Sequence, residues 1–571
     1  AYLARGLSEC GHSIRYLTCG KAQTYCAAMT ARRLSPGDAP TLAKRACADC
    51  GAGAKAIASV YGFPLDTLRN HLDASDIASL DAIASDAVSN KSLDTEFLGV
   101  KIGRLALYEF TLTHKKMSVE LTHEQWTEYG VYLVNALRSL LGFDRYLALN
   151  RPDLIFSFSP QYSNINPCMQ RAIDKGIRTF FIESGTNLSH RLGTMRVWDW
   201  STHKLVNPAL SYWRASGANP VTQIGADKVV GHFEQLLSGH HFAVFSSPYS
   251  GNMGIRDAWG ISPTQKILLM TLSSYDEAYA ALLIGGFPTR KVFSDVFRTQ
   301  ADWIKATVAW AANRPDVFVI VRVHPRDFPN KRESMRSEQS FMLEGLLTDL
   351  PENVRVNWPG EGVSLYALLE DADAILTGWS VTAMEALSLG IPVVTYDANL
   401  PSYPSDIHYT GRSETDYFLN IERALSDGWR LDNAINGFRW LAYNFVSCTV
   451  TVAERFGQFE LGPQSPIARL WSRILNRMPR LRASLDLRKW RAALPGAKIV
   501  SRMAMQGHDA IPPARASTEC VRLLDPTGER ATVVQALTRL YALLYADKPP
   551  SADKPGLSRN LRRVTMNKTS R

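Results

Sequence analysis

Short runs of β-branched and apolar residues alternate with longer stretches of helical periodicity through most of the chain. That alternation predicts parallel sheets joined by crossover helices. In the first half, "DLIFSFS" (Asp153–Ser159) reads as a strand, Asn166–Lys175 as an apolar helix closed by Gly176, and "IRTFFIESG" (Ile177–Gly185) as the next strand. In the second half, "KILLMTLSS" (Lys266–Ser274) is a buried strand, Ser294–Ala312 a Trp-rich helical stretch and "DVFVIVRVHP" (Asp316–Pro325) the following strand. A helix over Ser334–Leu347 and short strands in "NVRVNW", "ADAILTGWS" and "IPVVTYD" complete that unit. Two successive α/β domains are predicted, 1–255 and 256–430, divided near "SSPYSGNMG" (Ser246–Gly254), whose composition favours turns.

After residue 430 the sheet pattern stops. Asp432–Phe456 reads as helical, and residues 431–460 are expected to cross back over the first domain. Ile467, Leu470, Trp471, Ile474, Leu475 and Met478 then recur at helical spacing with Arg469, Arg473 and Arg477 between them, a basic amphipathic helix that Pro479 limits or kinks. Such a helix either packs on its own protein or lies on a membrane surface. Residues 461–571 form a basic extension, expected to be helical and partly disordered, with 21 Lys/Arg against 7 Asp/Glu. The whole chain carries a formal charge of +10, so the remainder is slightly acidic. A basic tail on a near-neutral body suits an anionic membrane surface, with nucleic acid the less favoured partner.

At 571 residues, 46% hydrophobic and 21% charged, the chain has the composition of an ordinary globular protein with ample core. It has no apolar run long enough to predict a membrane-spanning helix. The opening "AYLARGLSECGHSIRYLTCG" is like neither a signal nor a transit peptide and reads as a helix end, a stop at Gly11 and a strand over Ser13–Cys19. A cytoplasmic protein is therefore expected, at most peripheral on the inner face of the membrane. Its eight cysteines are too few for a disulfide scaffold. Four of them, Cys19, Cys26, Cys47 and Cys50, follow C-x6-C-x20-C-x2-C, a pattern open to a structural zinc site or to ordinary buried thiols.

Ligands of open parallel sheets sit at the carboxyl ends of the strands. Ser273 ends one predicted strand, and "VRVHPR" brings His324 and Arg326 to the end of another, with Arg322 alternating to the other face. In "TGWSVTAMEALSLGIPVV", Gly378 and Ser380 open a helix over Val381–Leu389 whose terminal amides suit a phosphate. Glu385, a turn and a half further on, is placed to accept ribose hydroxyls. Each signal alone has a plainer reading: a strand-end His-Pro, an N-capping serine, a solvated glutamate. Their order after successive strands is what joins them.

With those motifs in hand, the stretch from about residue 265 to 400 resembles the nucleotide-binding domain of GT-B glycosyltransferases. It resembles especially the bacterial capsule and surface-polysaccharide group that includes transferases of Kdo (3-deoxy-manno-octulosonic acid). "VRVHPR" is similar to that group's strand ending in His-Pro, and "GWSVTAMEALSLGIPVV" to its Ser-x4-Glu-Ala-Leu-x2-Gly-x-Pro pattern. In the first domain "GIRTFFIESG" looks like the acceptor-side strand and loop. The resemblance does not reach the basic extension. It implies two Rossmann-like domains facing a cleft, with His324 on the donor's phosphate or base, Ser380 on the phosphate and Glu385 on the ribose.

Glycosyl transfer builds charge on the leaving phosphate, which fixed cations and dipoles stabilise without a metal. No cofactor is then required for catalysis. The acceptor hydroxyl needs a base. Glu183 ends a strand of the first domain, and Asp276 and Glu277 follow the first strand of the second. Their plainer readings are an ion pair with an arginine such as Arg191 for Glu183, and a helix N-cap for Asp276. His190 is a weaker candidate. The expected function is transfer of a sugar from a nucleotide-activated donor, CMP-Kdo first and UDP- or GDP-sugars next, to a bacterial surface polysaccharide or glycolipid. The alternatives are a sugar-nucleotide 2-epimerase, a glycerol- or ribitol-phosphate transferase, and a non-catalytic polyanion-binding scaffold.

Overall fold

A computed structural model describes the chain except for residues 39, 204–207, 218, 240, 242–243, 250, 252–253, 331–332, 454–464, 477, 479–480, 482–484, 486–493, 517–525, 546–555 and 567–571. Arg477, Pro479, the end of the helix expected over Asp432–Phe456 and part of the predicted linker Ser246–Gly254 lie outside the described residues.

Strands β1 (Tyr16–Thr18) and β2 (Leu65–Thr67) pair in parallel as a separate ribbon. The predicted strand–helix–strand unit follows as β3 (Leu154–Phe158), the helix Asn166–Asp174 and β4 (Arg178–Ser184), with β3 and β4 parallel. β5 (Thr194–Asp199) then adds antiparallel to β4, so this sheet is mixed. The long helix His123–Asn150 begins at a Thr122/Gln125 capping box and buries Tyr129, Leu133, Leu137 and Leu140 in the first domain's helical core.

The second domain holds β6 (Lys266–Thr271), β7 (Val317–Arg322), β8 (Val354–Asn357), β9 (Ala374–Thr377), β10 (Val393–Thr395) and β11 (Tyr409–Thr410). All are parallel, in the order β11-β10-β9-β6-β7-β8. This is the doubly wound arrangement, whose strand order reverses between β6 and β9. The runs "ILLMT" and "VFVIVR" are buried along their whole length, as central parallel strands covered on both faces must be. The helix expected from Ser294 starts at Gln300 instead, because Thr299 and Asp302 form a capping box there while the Ser294 hydroxyl donates to Asp397 at 2.6 Å.

The crossing segment begins as the helix Leu431–Ala442, packed against the helix Thr382–Ser388. It does not continue to Phe456. A wide turn over Tyr443–Ser447 leads into β12 (Val450–Thr451), which pairs antiparallel with β5 and completes the first sheet as β12-β5-β4-β3.

Much of the basic extension is built into the body. The helix Leu494–Met505 packs Val500 and Met503 against Phe180, Val197 and Val450. The Arg178 guanidinium donates to the carbonyls of Ala504 and His508, each at 3.1 Å. The helix Pro526–Tyr545 lies on the helices Gln223–Ser238 and Leu431–Ala442, where Arg439 donates to the buried Glu529 at 2.7 Å. Among the described residues no helix is long and apolar enough to cross a membrane. The architecture is thus the GT-B arrangement read from the sequence: two α/β domains facing a cleft, with a helical extension.

Candidate functional site

The ends of β6, β7 and β9 converge where the strand order reverses, and a cavity of about 520 Å³ opens there between the domains. His324, Ser380 and Glu385 all line it, as does Arg322. The first domain contributes Thr186, Arg191, Arg196 and His232 to the opposite wall.

His324 leaves β7 half-buried, and its Nδ1 accepts the Arg326 backbone N–H at 3.2 Å. The neutral ring therefore carries its proton on Nε2. Burial, followed by the positive charges of Arg326, Arg322 and Lys115, pushes its pKa down to about 3. The imidazole is thus a neutral hydrogen-bond donor rather than a cation. Arg322, expected on the other face, instead lines the cavity and donates to Asn357 Oδ1 and, at 3.1 Å, to the Val363 carbonyl. Burial pushes its pKa down to about 10, which leaves it charged at neutral pH.

The helix after β9 is shorter than predicted, Thr382–Ser388, so a dipole at its start is a weak argument for an anion. Ser380 offers chemistry of another kind. Its Oγ accepts the Thr382 N–H at 3.4 Å, which leaves the hydroxyl proton to donate. Glu385 is buried on the cavity wall rather than on a solvated face. Its Oε2 accepts the Tyr366 hydroxyl at 2.9 Å, and its Oε1 lies 3.8 Å from His232 Nε2. Because His232 Nδ1 accepts the Leu188 N–H at 3.1 Å, the proton of the neutral ring is on the nitrogen that faces Glu385. Nothing in the sequence marked His232: it is one histidine in an amphipathic helix, far from any motif.

The other predicted residues are elsewhere. Arg326 and Asp276, expected as phosphate ligand and base, form a buried ion pair with each other. The short turn Pro325–Asp327 swings Arg326 beneath the sheet end, where it also meets the Ser274 hydroxyl at 3.1 Å, Glu277 at 3.4 Å and Glu333 at 3.7 Å. Lys115 of the first domain is buried under the same turn and donates to the Met335 carbonyl at 2.6 Å. Burial there pushes the Asp327 carboxyl up to about 7. None of Asp276, Glu277 and Arg326 lines the cavity.

Ser273 is off the wall as well. Its N–H donates to Gln300 at 2.9 Å, and its carbonyl accepts from Gln300 and Gln339 at 3.1 and 3.0 Å, so it ties the end of β6 to the starts of two helices. Gly378 is off the cavity wall too, and a Cβ there would meet the Tyr396 ring at 3.4 Å, an ordinary contact. Glu183 faces Arg196 across the antiparallel β4–β5 register and pairs with it, not with Arg191; it too is absent from the cavity wall. No expected catalytic carboxylate reaches the cavity.

Cys19, Cys47 and Cys50 each lie within electrostatic reach of Cys26. Among the described residues no group of three or more His, Cys, Asp or Glu side chains is placed to hold a metal ion. Cys26 and Cys47 pack on the first domain's helical core, whereas Cys19 packs on a separate core beside β4 and Trp198. Burial raises the thiol pKa of Cys19, Cys47 and Cys50 above its ordinary value.

No protein-family profile matches the chain, and no curated protein matches it in sequence. Solved structures match parts of it. The Thermosulfurimonas dismutans KpsC, beta Kdo 2,4 transferase, is 14% identical, with 53% of this chain and 82% of that chain covered and a TM-score of 0.31. The Methanocaldococcus jannaschii UDP-GlcNAc 2-epimerase, in complex with UDP-GlcNAc and UDP, is 15% identical, with 64% and 95% covered and a TM-score of 0.26. The glycosyltransferase SnogD from Streptomyces nogalater is 14% identical, with 78% and 91% covered and a TM-score of 0.23. At those values the likenesses assign no role to any residue, and the fold description stands on the strand order itself.

Proposed function

We propose that the chain is a glycosyltransferase that holds a nucleotide-activated sugar in the interdomain cavity and passes the sugar to a hydroxyl of a glycan or glycolipid. The observation that carries this is the meeting of His324, Ser380 and Glu385 on one cavity at the reversal of strand order. Glu385, steadied by Tyr366, suits a pair of ribose hydroxyls. The His324 Nε2–H, the Ser380 hydroxyl and the Arg322 guanidinium suit a phosphate. Transfer breaks the bond from the anomeric carbon to the phosphate oxygen, and the electron pair leaves with the phosphate. The acceptor oxygen forms the new bond and its proton is released to solvent, so the products are the glycoside, the nucleotide and one proton. Donors fixed at the leaving phosphate stabilise the charge that develops there. Such a site needs no metal, and activity undiminished by a chelator is the corresponding check.

Arg191, Arg196 and Arg322 line the cavity with Glu385, and Arg196 is already paired with Glu183. These cations suit the two negative charges that a CMP-linked acidic sugar (phosphodiester and carboxylate) and a UDP- or GDP-linked neutral sugar (diphosphate) carry alike; CMP-Kdo comes first on the motif resemblance, and the nucleotide screen decides. A surface polysaccharide or glycolipid as acceptor, met at the inner face of the cell membrane, is the setting we propose.

The test is a thermal-shift screen of the full chain against CMP, UDP, GDP and ADP, then incubation with the matching sugar donor with and without acceptor. Selective stabilisation by one nucleotide and transfer only with acceptor present support the reading. Isomerisation of the donor alone would identify an epimerase instead. Phosphate retained on the transferred group would identify a polyol-phosphate transferase. Absence of nucleotide binding at millimolar concentration overturns the proposal in favour of a scaffold.

A further inference from the structure

The helix Pro466–Asn476 has an apolar side that meets no core of the described residues. Ile467, Leu470, Trp471 and Ile474 point outward, the indole 59% exposed, and Met478, Leu481 and Leu485 continue the exposed series. Single apolar residues on a surface are ordinary, whereas a sustained series marks a binding face. None of these seven belongs to any of the six hydrophobic cores formed by the described residues.

Helical geometry puts position 469 on the side opposite the one shared by 467, 470, 471 and 474, and position 473 on its flank beside 470. Both are arginine. Residues 466–493 contain eight Lys/Arg and one acidic residue, Asp486.

The described elements on either side of this stretch lie together. The chain departs from β12 and returns at the helix Leu494–Met505, which packs on β12 itself. The approach is so close that a Cβ on Gly496 would stand 2.0 Å from the Thr451 carbonyl oxygen. Both elements are therefore anchored side by side on the first domain.

We propose that the helix Pro466–Asn476 docks the protein on an anionic lipid surface. Trp471 and its apolar neighbours enter the boundary between headgroups and acyl chains, and the arginines meet lipid phosphates. Charge selects this occupant. Pairing with a second copy would bring two cationic segments together, and nucleic acid would engage the arginines while leaving Trp471 and Ile474 in water. The inference does not depend on the glycosyltransferase reading.

The test is sedimentation of the full chain with vesicles of phosphatidylcholine alone, and with vesicles of phosphatidylcholine and phosphatidylglycerol in equal parts, at low and high salt. Binding to the anionic vesicles, weakened by salt, is expected. The double variants Trp471→Glu/Ile474→Glu and Arg469→Glu/Arg473→Glu should each lower the partition coefficient by about tenfold or more, with the unfolding temperature unchanged. The proposal is overturned if the wild type stays in solution, or if either double variant binds like it. Dimers that Trp471→Glu/Ile474→Glu dissolves, or binding to RNA with none to vesicles, overturn it equally.

Discussion

His232 Nε2 faces Glu385 Oε1 across 3.8 Å, the first on a helix of one domain and the second on a helix of the other. The carboxylate is thus flanked by a group from each side of the cleft, with Tyr366 on its second oxygen. If Glu385 holds a ribose, the charge matters more than the shape. Glu385→Gln should weaken nucleotide binding about tenfold or more, the loss of charge-assisted hydrogen bonds. Tyr366→Phe, which removes only the steadying hydroxyl, should cost less, about 1 kcal/mol. Calorimetric titration measures both, and equal affinity of Glu385→Gln and wild type would contradict the assignment.

His324 works here as a neutral donor. His324→Ala should lower turnover by about 100-fold or more, as loss of one fixed donor at a developing charge does. Because its pKa is held near 3 by burial and by three neighbouring cations, its protonation should leave no inflection in activity between about pH 5 and 8. An inflection in that window that disappears in His324→Gln would show that the ring titrates during catalysis.

Arg322 and Arg326, four positions apart, should fail differently. Arg322→Met should weaken nucleotide binding in a folded protein. Arg326→Met leaves Asp276 buried without its partner and should destabilise the fold by about 3 kcal/mol or more. Urea unfolding together with nucleotide titration separates the two outcomes. Weakened binding at full stability in Arg326→Met would restore that residue to the site.

Asp327 predicts a pH effect of definite sign. Burial lifts its carboxyl from the ordinary 3.8 to about 7, so between those values the folded protein holds a proton that the unfolded chain has lost. Stability from this group is present at low pH and declines as pH rises toward about 7, at no more than about 1.4 kcal/mol per pH unit. Asp327→Asn lacks that decline. The wild type should therefore lose stability relative to the variant as pH is raised from about 4 to 7 in parallel urea titrations, and a parallel pair of curves would contradict the raised value.

The strands of the second domain were legible because a central parallel strand must be apolar on both faces, and "ILLMT" and "VFVIVR" are. His324, Ser380 and Glu385 were legible because each follows a strand that the pattern already marks. What the pattern does not contain is the direction a side chain takes after the strand ends. The turn Pro325–Asp327 carries Arg326 under the sheet and leaves Arg322 at the cavity, the reverse of the expectation. Glu183 was misread because its partner Arg196 belongs to an antiparallel strand that parallel-sheet logic does not anticipate. The contribution of His232 depends on how two domains meet, which no local periodicity records.

β12 and the helix Leu494–Met505 belong to the sheet of the first domain although they follow the whole of the second. Synthesis from the N-terminus therefore delivers the first domain incomplete, with the free edge of β5 unpaired until Val450–Thr451 is made and Phe180 and Val197 lacking their cover from the helix Leu494–Met505 for longer still. A nascent chain of this design is exposed to edge-to-edge aggregation for longer than its individual domains would suggest. Stop codons or proteolytic cuts before Leu494 should yield insoluble material rather than a working two-domain fragment.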